Sequence, residues 1–303
     1  MKYVLTTENI TKKYRGFTAL DGLSMHVPKG SIYGFVGRNG AGKTTLIRLI
    51  CGMQFPTSGE FSLYGIRNTE NIGKSRRRMG AVVETPSLYL DMTAVDNLKQ
   101  QYRVLGLPSF DGINEILKLV GLENTGRKKA KNFSLGMRQR LGIAVALCGN
   151  PDFLILDEPI NGLDPQGIIE IRELILKLNR ERQITVLISS HILDELSRLA
   201  THYGFIDKGK IVKEISAEQL ERECRKCARV TVSDTKKLST VLDEMGLEYA
   251  VADERTADIY GEISITKLTD ALKSANCELF SINERDESLE AYFINLVGGG
   301  ENG

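Results

Sequence analysis

The sequence has no apolar run approaching the ~20 residues needed to cross a bilayer. Its first residues, Met1-Lys2-Tyr3-Val4-Leu5-Thr6-Thr7-Glu8, turn polar too early for a secretory leader. A soluble, cytoplasmic chain is expected unless another protein holds it at a membrane. Charge of one sign is also missing. The 40 Lys+Arg and 39 Asp+Glu leave a formal net charge of +1, which lacks the basic footprint of a dedicated nucleic-acid binder. Two local basic runs, Lys74-Ser75-Arg76-Arg77-Arg78 and Arg127-Lys128-Lys129-Ala130-Lys131, read as solvated faces. Cysteine is scarce. The five, at 51, 148, 224, 227 and 277, form no extracellular framework, and Cys51 and Cys148 sit in apolar helical patterns where small core residues fit. Cys224-Arg225-Lys226-Cys227 has the C-x-x-C spacing, but a tetrahedral zinc site takes four ligands and no second pair follows.

What is present is apolar content and phosphate chemistry. At 303 residues the chain is long for one domain, and 42% hydrophobic residues suffice for two cores. Gly37-Arg38-Asn39-Gly40-Ala41-Gly42-Lys43-Thr44 satisfies G-x-x-x-x-G-K-[ST]. Ser31 to Val36 reads as a buried strand before it, and Thr45 to Ile50 as a helix beginning at Lys43 or Thr44. The loop is thus aimed at a helix N-terminus. Glycines at 37, 40 and 42 let backbone N–H groups turn toward phosphate oxygens, the helix end adds partial positive charge, and Lys43 adds a full one. Thr44 offers a hydroxyl to Mg²⁺. A Gly-rich turn with an incidental lysine is the competing reading, and the flanking strand and helix argue against it.

A second motif carries acids. Pro151-Asp152-Phe153-Leu154-Ile155-Leu156-Asp157-Glu158-Pro159 is a continuous apolar strand ending in two carboxylates, as a parallel α/β sheet presents acids at its ligand-binding edge. Asp157 suits Mg²⁺, directly or through water. Glu158, one residue on, is the candidate general base for the water attacking a γ-phosphate. Phe133-Ser134-Leu135-Gly136-Met137 opens a helix with Ser134 placed as N-cap, Asn161-Gly162-Leu163-Asp164-Pro165 forms a turn, and Thr185 to Ser190 is a strand followed by His191.

Together with Tyr14, this order resembles the nucleotide-binding domain of the ATP-binding cassette (ABC) superfamily over about residues 1–215. The resemblance implies a phosphate-loop α/β domain with a helical signature subdomain at about 85–150. It places Tyr14 against adenine, and Gly37, Arg38, Asn39, Gly40, Ala41, Gly42, Lys43, Thr44 and Thr45 in the Walker A site. Asp157 and Glu158 become the Walker B acid and catalytic base. Ser134, Leu135, Gly136 and Met137 become the signature that reaches a second subunit's nucleotide, Asn161 and Asp164 the D-loop, and His191 the switch histidine on the γ-phosphate or attacking water. ATP and Mg²⁺ are the implied ligands.

Two positions depart from the family pattern. The signature reads Phe-Ser-Leu-Gly-Met where Leu-Ser-Gly-Gly-Gln is commonest; the serine and second glycine, which face phosphate, remain. The Q-loop glutamine position, after Met79 to Val83, holds Glu84, followed by Thr85 and Pro86. A carboxylate there ligands a metal more strongly than an amide and repels phosphate when the metal is absent. Glutamate beside Thr-Pro resembles the ATP-binding subunits of bacitracin-efflux and lantibiotic-immunity transporters. Glu84 is therefore expected at the metal and in catalysis.

After the hairpin expected at Tyr203–Val212, with Lys208-Gly209 at its turn, residues 216–225 read as a charged helical linker. Residues 226–297 follow the order β-α-β-β-α-β of a small ferredoxin-like α+β domain with a closing helix, and 298–303 form a glycine-rich tail. Nothing in this second domain has catalytic spacing. Three functions compete: the ATP-hydrolysing subunit of a transporter whose membrane spans lie on another polypeptide, a soluble ABC ATPase acting on DNA or ribosomes, and a nucleotide switch with little turnover. Glu158 and His191 disfavour the switch, and the single cassette without a long coiled coil disfavours the second. The expected protein is a cytoplasmic subunit held on the inner membrane face by an integral membrane permease and paired with a second cassette, an identical chain being the first choice. Export of a peptide antibiotic or similar amphiphile is the expected direction.

Overall fold

The computed structural model describes residues 2–224, 227–261, 263–285 and 289–298. The chain divides into two compact units, Met1–Ala217 and Glu218–Gly303. The first is built from β1 (Tyr3–Tyr14), β2 (Phe17–Pro28), β3 (Ile32–Val36), α1 (Lys43–Ile50), β4 (Ser58–Leu63), β5 (Ile66–Arg67), α2 (Gly73–Arg76) and β6 (Met79–Val82). It continues through α3 (Ala94–Leu105), α4 (Ile113–Leu119), α5 (Leu135–Leu147), β7 (Phe153–Asp157), α6 (Pro165–Arg182), β8 (Thr185–Ser190), α7 (Leu193–Ser197), β9 (His202–Asp207) and β10 (Lys210–Ser216).

Two sheets organise this unit. One is antiparallel, in the order β2-β1-β4-β5. The other runs β10-β9-β3-β8-β7-β6, parallel throughout except for the β9/β10 hairpin. Strands β3, β7 and β8 are buried at every residue, so they read as unbroken apolar runs rather than alternations. Helix α1 lies in the core between the sheets: Leu46, Ile47, Leu49 and Ile50 pack in one cluster with Leu5, Leu20, Met25, Phe153 and Leu187. Because β3, β8, β7 and β6 are neighbours and parallel, their C-terminal ends share one edge, where an open α/β sheet binds ligands. The phosphate loop, His191, Asp157-Glu158 and Glu84 each follow one of these four ends.

Helices α3, α4 and α5 fall between β6 and β7. Thr93 caps α3 by accepting from the Asp96 N–H at 3.1 Å, and Gly106 ends it in the left-handed conformation. In the run at 74–78, Lys74, Arg77 and Arg78 are exposed as its charge suggests, while Arg76 is half-buried. Arg76 donates to the carbonyls of Ile50 (3.0 Å) and Leu49 (3.5 Å) at the end of α1, and Arg78 pairs with Asp152 while lying 3.8 Å from the Tyr64 ring. A charge count cannot distinguish a guanidinium that closes a helix from one in water.

The second unit contains most of α8 (Ala217–Glu223), then β11 (Cys227–Val232), α9 (Thr235–Glu244), β12 (Glu248–Val251), β13 (Thr256–Tyr260), α10 (Ile265–Ser274), β14 (Leu279–Arg285) and α11 (Leu289–Gly298). Its antiparallel sheet runs β12-β13-β11-β14, the strand order of a ferredoxin-like fold. Val230, Leu238, Leu242, Ile259, Leu268 and Leu272 form its core. The expected linker at 216–225 overlaps β10 by one residue, since the strand runs to Ser216 before α8. Glu214, within β10, accepts from the Tyr33 hydroxyl at 2.6 Å and the His26 N–H at 2.8 Å. Arg225 and most of the 298–303 tail lie outside the described residues.

Candidate functional site

The phosphate loop leaves β3 at Gly37 and enters α1 at Lys43. Arg38, Asn39 and Gly40 are exposed, Ala41 to Lys43 are buried, and Thr44 and Thr45 are half-buried. Gly42 is the N-cap of α1 at φ 113°, and a Cβ there would lie 2.7 Å from the Ala19 carbonyl oxygen, so both conformation and space demand glycine. The same contact places β2 directly against the loop. Gly209, in the β9/β10 turn, donates to the Ala41 carbonyl at 3.0 Å and holds the loop from the other side.

Lys43 is only 5% exposed, and a buried ammonium needs partners. It finds the loop's own carbonyls, Gly37 at 2.6 Å and Arg38 at 3.4 Å, and the Glu158 carboxylate at 3.3 Å. The other Glu158 oxygen lies 2.8 Å from His191 Nδ1. Glu158 therefore bridges Lys43 and His191, which reach it from the start of α1 and the end of β8. Its own backbone is left-handed at φ 50°, a conformation that turns its side chain away from the line of β7.

Asp157 is 1% exposed. Its Oδ1 accepts from the Ser189 hydroxyl at 2.5 Å, while Oδ2 is buried with no hydrogen-bond partner among the described residues. A buried, half-satisfied carboxylate beside a phosphate loop suits a divalent cation, which takes oxygen ligands. Sequence reasoning missed Ser189, which also receives the Glu158 N–H at 3.0 Å on its Oγ and so fixes both acids. Its one sequence signal is its place two residues before His191.

Glu84 stands at φ 59° after β6, its side chain 56% exposed, and its ion pair is with Arg48 of α1. Tyr14 closes the β1/β2 hairpin with its ring stacked on Phe17 at 5.3 Å, and its hydroxyl donates to Gln54 at 2.6 Å. Ser134 caps α5, accepting from the Met137 N–H at 3.2 Å. Leu135 is 50% exposed and lies close to Gly162, while Gly136 faces Leu163 and Gly167. Asn161 is exposed, and Asp164 caps α6 through the Gly167 N–H at 3.1 Å. Signature and D-loop are thus packed on each other. Among the described residues, no hydrogen bond or ion pair joins Ser134–Met137 to Lys43, Asp157, Glu158 or His191 of the same chain.

The model of the ABC transporter family matches residues 20–161. The bacitracin transport ATP-binding protein BcrA of Enterococcus faecalis is 40% identical over 99% of this chain and 98% of its own length. The chain belongs to the ABC transporter ATP-binding family. BcrA of Bacillus licheniformis is 41% identical over 99% of both chains, and the lantibiotic transport ATP-binding protein SrtF of Streptococcus pyogenes is 44% identical over 70% of this chain and 90% of its own. Among solved structures, the ADP conformation of the cassette MJ1267 superposes with a TM-score of 0.67 at 28% identity, covering 74% of this chain and 95% of that one. The dimeric, post-hydrolysis MJ0796 cassette bound to ADP and Pi gives 0.64 at 25% identity over 70% of this chain and 98% of that one. As an ABC ATPase the protein binds and hydrolyses ATP to drive transport. Among its described residues, no helix is long and apolar enough to cross a membrane.

Proposed function

We propose that this protein is the ATPase subunit of an exporter of bacitracin-like peptide antibiotics, working as a homodimer beneath a separate integral membrane permease on the inner face of the membrane. The observation that carries the mechanism is the bridge of Glu158 between buried Lys43 and His191, beside the half-satisfied Asp157. The substrate class rests on likeness to the two BcrA proteins, which extends along 99% of the chain. Residues 1–215 are the cassette, with 85–150 its helical subdomain, and 226–297 are an accessory domain joined through 216–225.

In this reading the Gly37–Thr45 loop N–H groups and Lys43 hold the ATP phosphates, and Tyr14 stacks on adenine. Thr44 and Asp157 would hold Mg²⁺, which would neutralise phosphate charge when bound. Lys43 leaves Glu158 for phosphate oxygens, freeing the carboxylate to take a proton from water, while His191 fixes its orientation. Ser134 and Gly136, with Asn161 and Asp164, complete the partner subunit's site. ATP binds the closed dimer better than the open one, and that differential affinity moves the permease. Glu84, paired with Arg48 of α1, would couple the nucleotide site to the surface around Tyr89 and Leu90, both well exposed.

The test is affinity purification of the tagged chain from mildly detergent-solubilised cells, followed by mass spectrometry and a bacitracin sensitivity assay on the deletion strain. A polytopic membrane partner and raised sensitivity are expected. Copurification with ribosomes or DNA-repair proteins, and unchanged sensitivity, would discard the transporter assignment.

A further inference from the structure

Helices α5 and α6 carry the signature and the D-loop at their N-termini, and they touch over two successive turns. The first turn is side by side: Gly136 lies against Leu163 and Gly167. In the second, Arg140 Nη2 meets Glu170 Oε2 at 3.2 Å across the gap, with the arginine side chain 17% exposed and the glutamate 38%. The same pair forms part of the wall of an open cavity of about 550 Å³ between the end of α4 and α6, with Leu119, Val120, Ile169 and Lys177.

Both partners are held by further groups. Arg140 Nη1 donates to the carbonyls of Val120 and Gly121, each at 3.1 Å, at the end of α4. Gly121 stands at φ 66°, and a Cβ there would lie 2.9 Å from that nitrogen, so the glycine makes room for the guanidinium. Glu170 accepts from Gln166 Nε2 at 3.3 Å, one turn from the Asp164 cap. A polar path runs from Gln166, two residues past the Asp164 cap, through Glu170 and Arg140 to the end of α4.

We propose that Arg140 and Glu170 are positioning residues that lock the signature helix to the D-loop helix, so that both enter the partner subunit's nucleotide site as one surface in fixed register. Neither reaches nucleotide in its own chain. Their effect falls on dimer closure and turnover, and nucleotide binding by a single chain is spared. The proposal rests on the reading that signature and D-loop act across a dimer.

The experiment uses the full chain carrying Glu158→Gln to slow turnover, with MgATP as the probe. ATP-dependent dimerisation is measured by sedimentation, MgATP affinity by fluorescence titration at protein concentrations that keep the chain monomeric, and stability by thermal melting. Glu170→Gln is expected to raise the dimer Kd about tenfold while monomer affinity stays within about twofold; in the Glu158 background the same change lowers kcat and leaves KM. Glu170→Asp, which keeps the charge, is expected to restore most of the dimerisation. An unchanged dimer Kd with Glu170→Gln overturns the proposal. So does dimerisation that follows melting temperature across the two variants rather than retention of charge. Ser134→Ala separates the two readings. If it weakens dimerisation and Glu170→Gln does not, only the positioning role fails; if neither variant weakens it, the trans-acting signature fails as well.

Discussion

Replacing Glu158 by Gln should make the single chain bind nucleotide more tightly, before any effect on turnover is counted. Lys43 is paired with Glu158 at 3.3 Å, with side-chain exposures of 6% and 20%. At that separation and an effective dielectric of about 20, two unit charges attract by about 5 kcal/mol. Binding exchanges one anionic partner of Lys43 for another, so only part of this appears in affinity. Close charge pairs couple by about 1.5 kcal/mol at the low end of measured values, which corresponds to roughly tenfold. The assay is calorimetric titration with MgADP, which lacks the γ-phosphate that closes the dimer, at low protein concentration and two ionic strengths. Affinity about tenfold above the unmodified chain is expected, and the gain should vanish when Lys43→Ala is also present, because the competing pair is then already broken. Unchanged or weaker MgADP binding, or a gain that survives in the Lys43→Ala background, would refute the competition between Glu158 and phosphate.

Asp157→Asn should keep the fold, since Ser189 can still donate to the remaining oxygen, but reduce Mg²⁺-dependent ATP hydrolysis by about 100-fold or more; steady-state turnover against Mg²⁺ concentration checks this. Tyr14→Ala should weaken ATP binding by about 1–3 kcal/mol, the usual worth of base–aromatic stacking, and Tyr14→Phe by much less; a nucleotide titration compares them. Glu84→Gln should move the melting temperature little, because its ion pair with Arg48 is well exposed and such pairs are worth about 1 kcal/mol or less. Permease-stimulated ATPase and transport should both change, and indifference of both would remove Glu84 from coupling. Burial pushes the Cys51 and Cys148 thiols up to about 12, so thiolate is scarce at neutral pH and grows only as pH rises. Iodoacetamide should modify both in urea and neither in the native chain at pH 8, as read by peptide mass.

Much of the chemistry was legible in sequence because it is local. A glycine-rich turn entering a helix, an apolar strand ending in Asp157-Glu158, and Ser134 before an apolar stripe each declare themselves within a few residues, since caps and turns are short-range. The β-α-β-β-α-β order of the second unit came from alternation and spacing of the same short range. Arg76 misled a charge count because its partner, the Ile50 carbonyl, is 26 positions away.

Tertiary structure decided which local pieces meet. The sequence alone determined that a phosphate loop, two acids and a histidine exist; the strand order β9-β3-β8-β7-β6 set their carriers side by side at one sheet edge. That order let Glu158 span Lys43 and His191, brought Ser189 against Asp157, and left the Asp157 Oδ2 without a partner among the described residues. Likewise, residue pattern identified the signature and D-loop helices, but only their packing showed Arg140 tied to Glu170. The physical reason is common to both cases. Hydrogen bonds and ion pairs act over a few ångströms, and distance in space is set by strand register and helix packing across segments that sequence periodicity treats as independent.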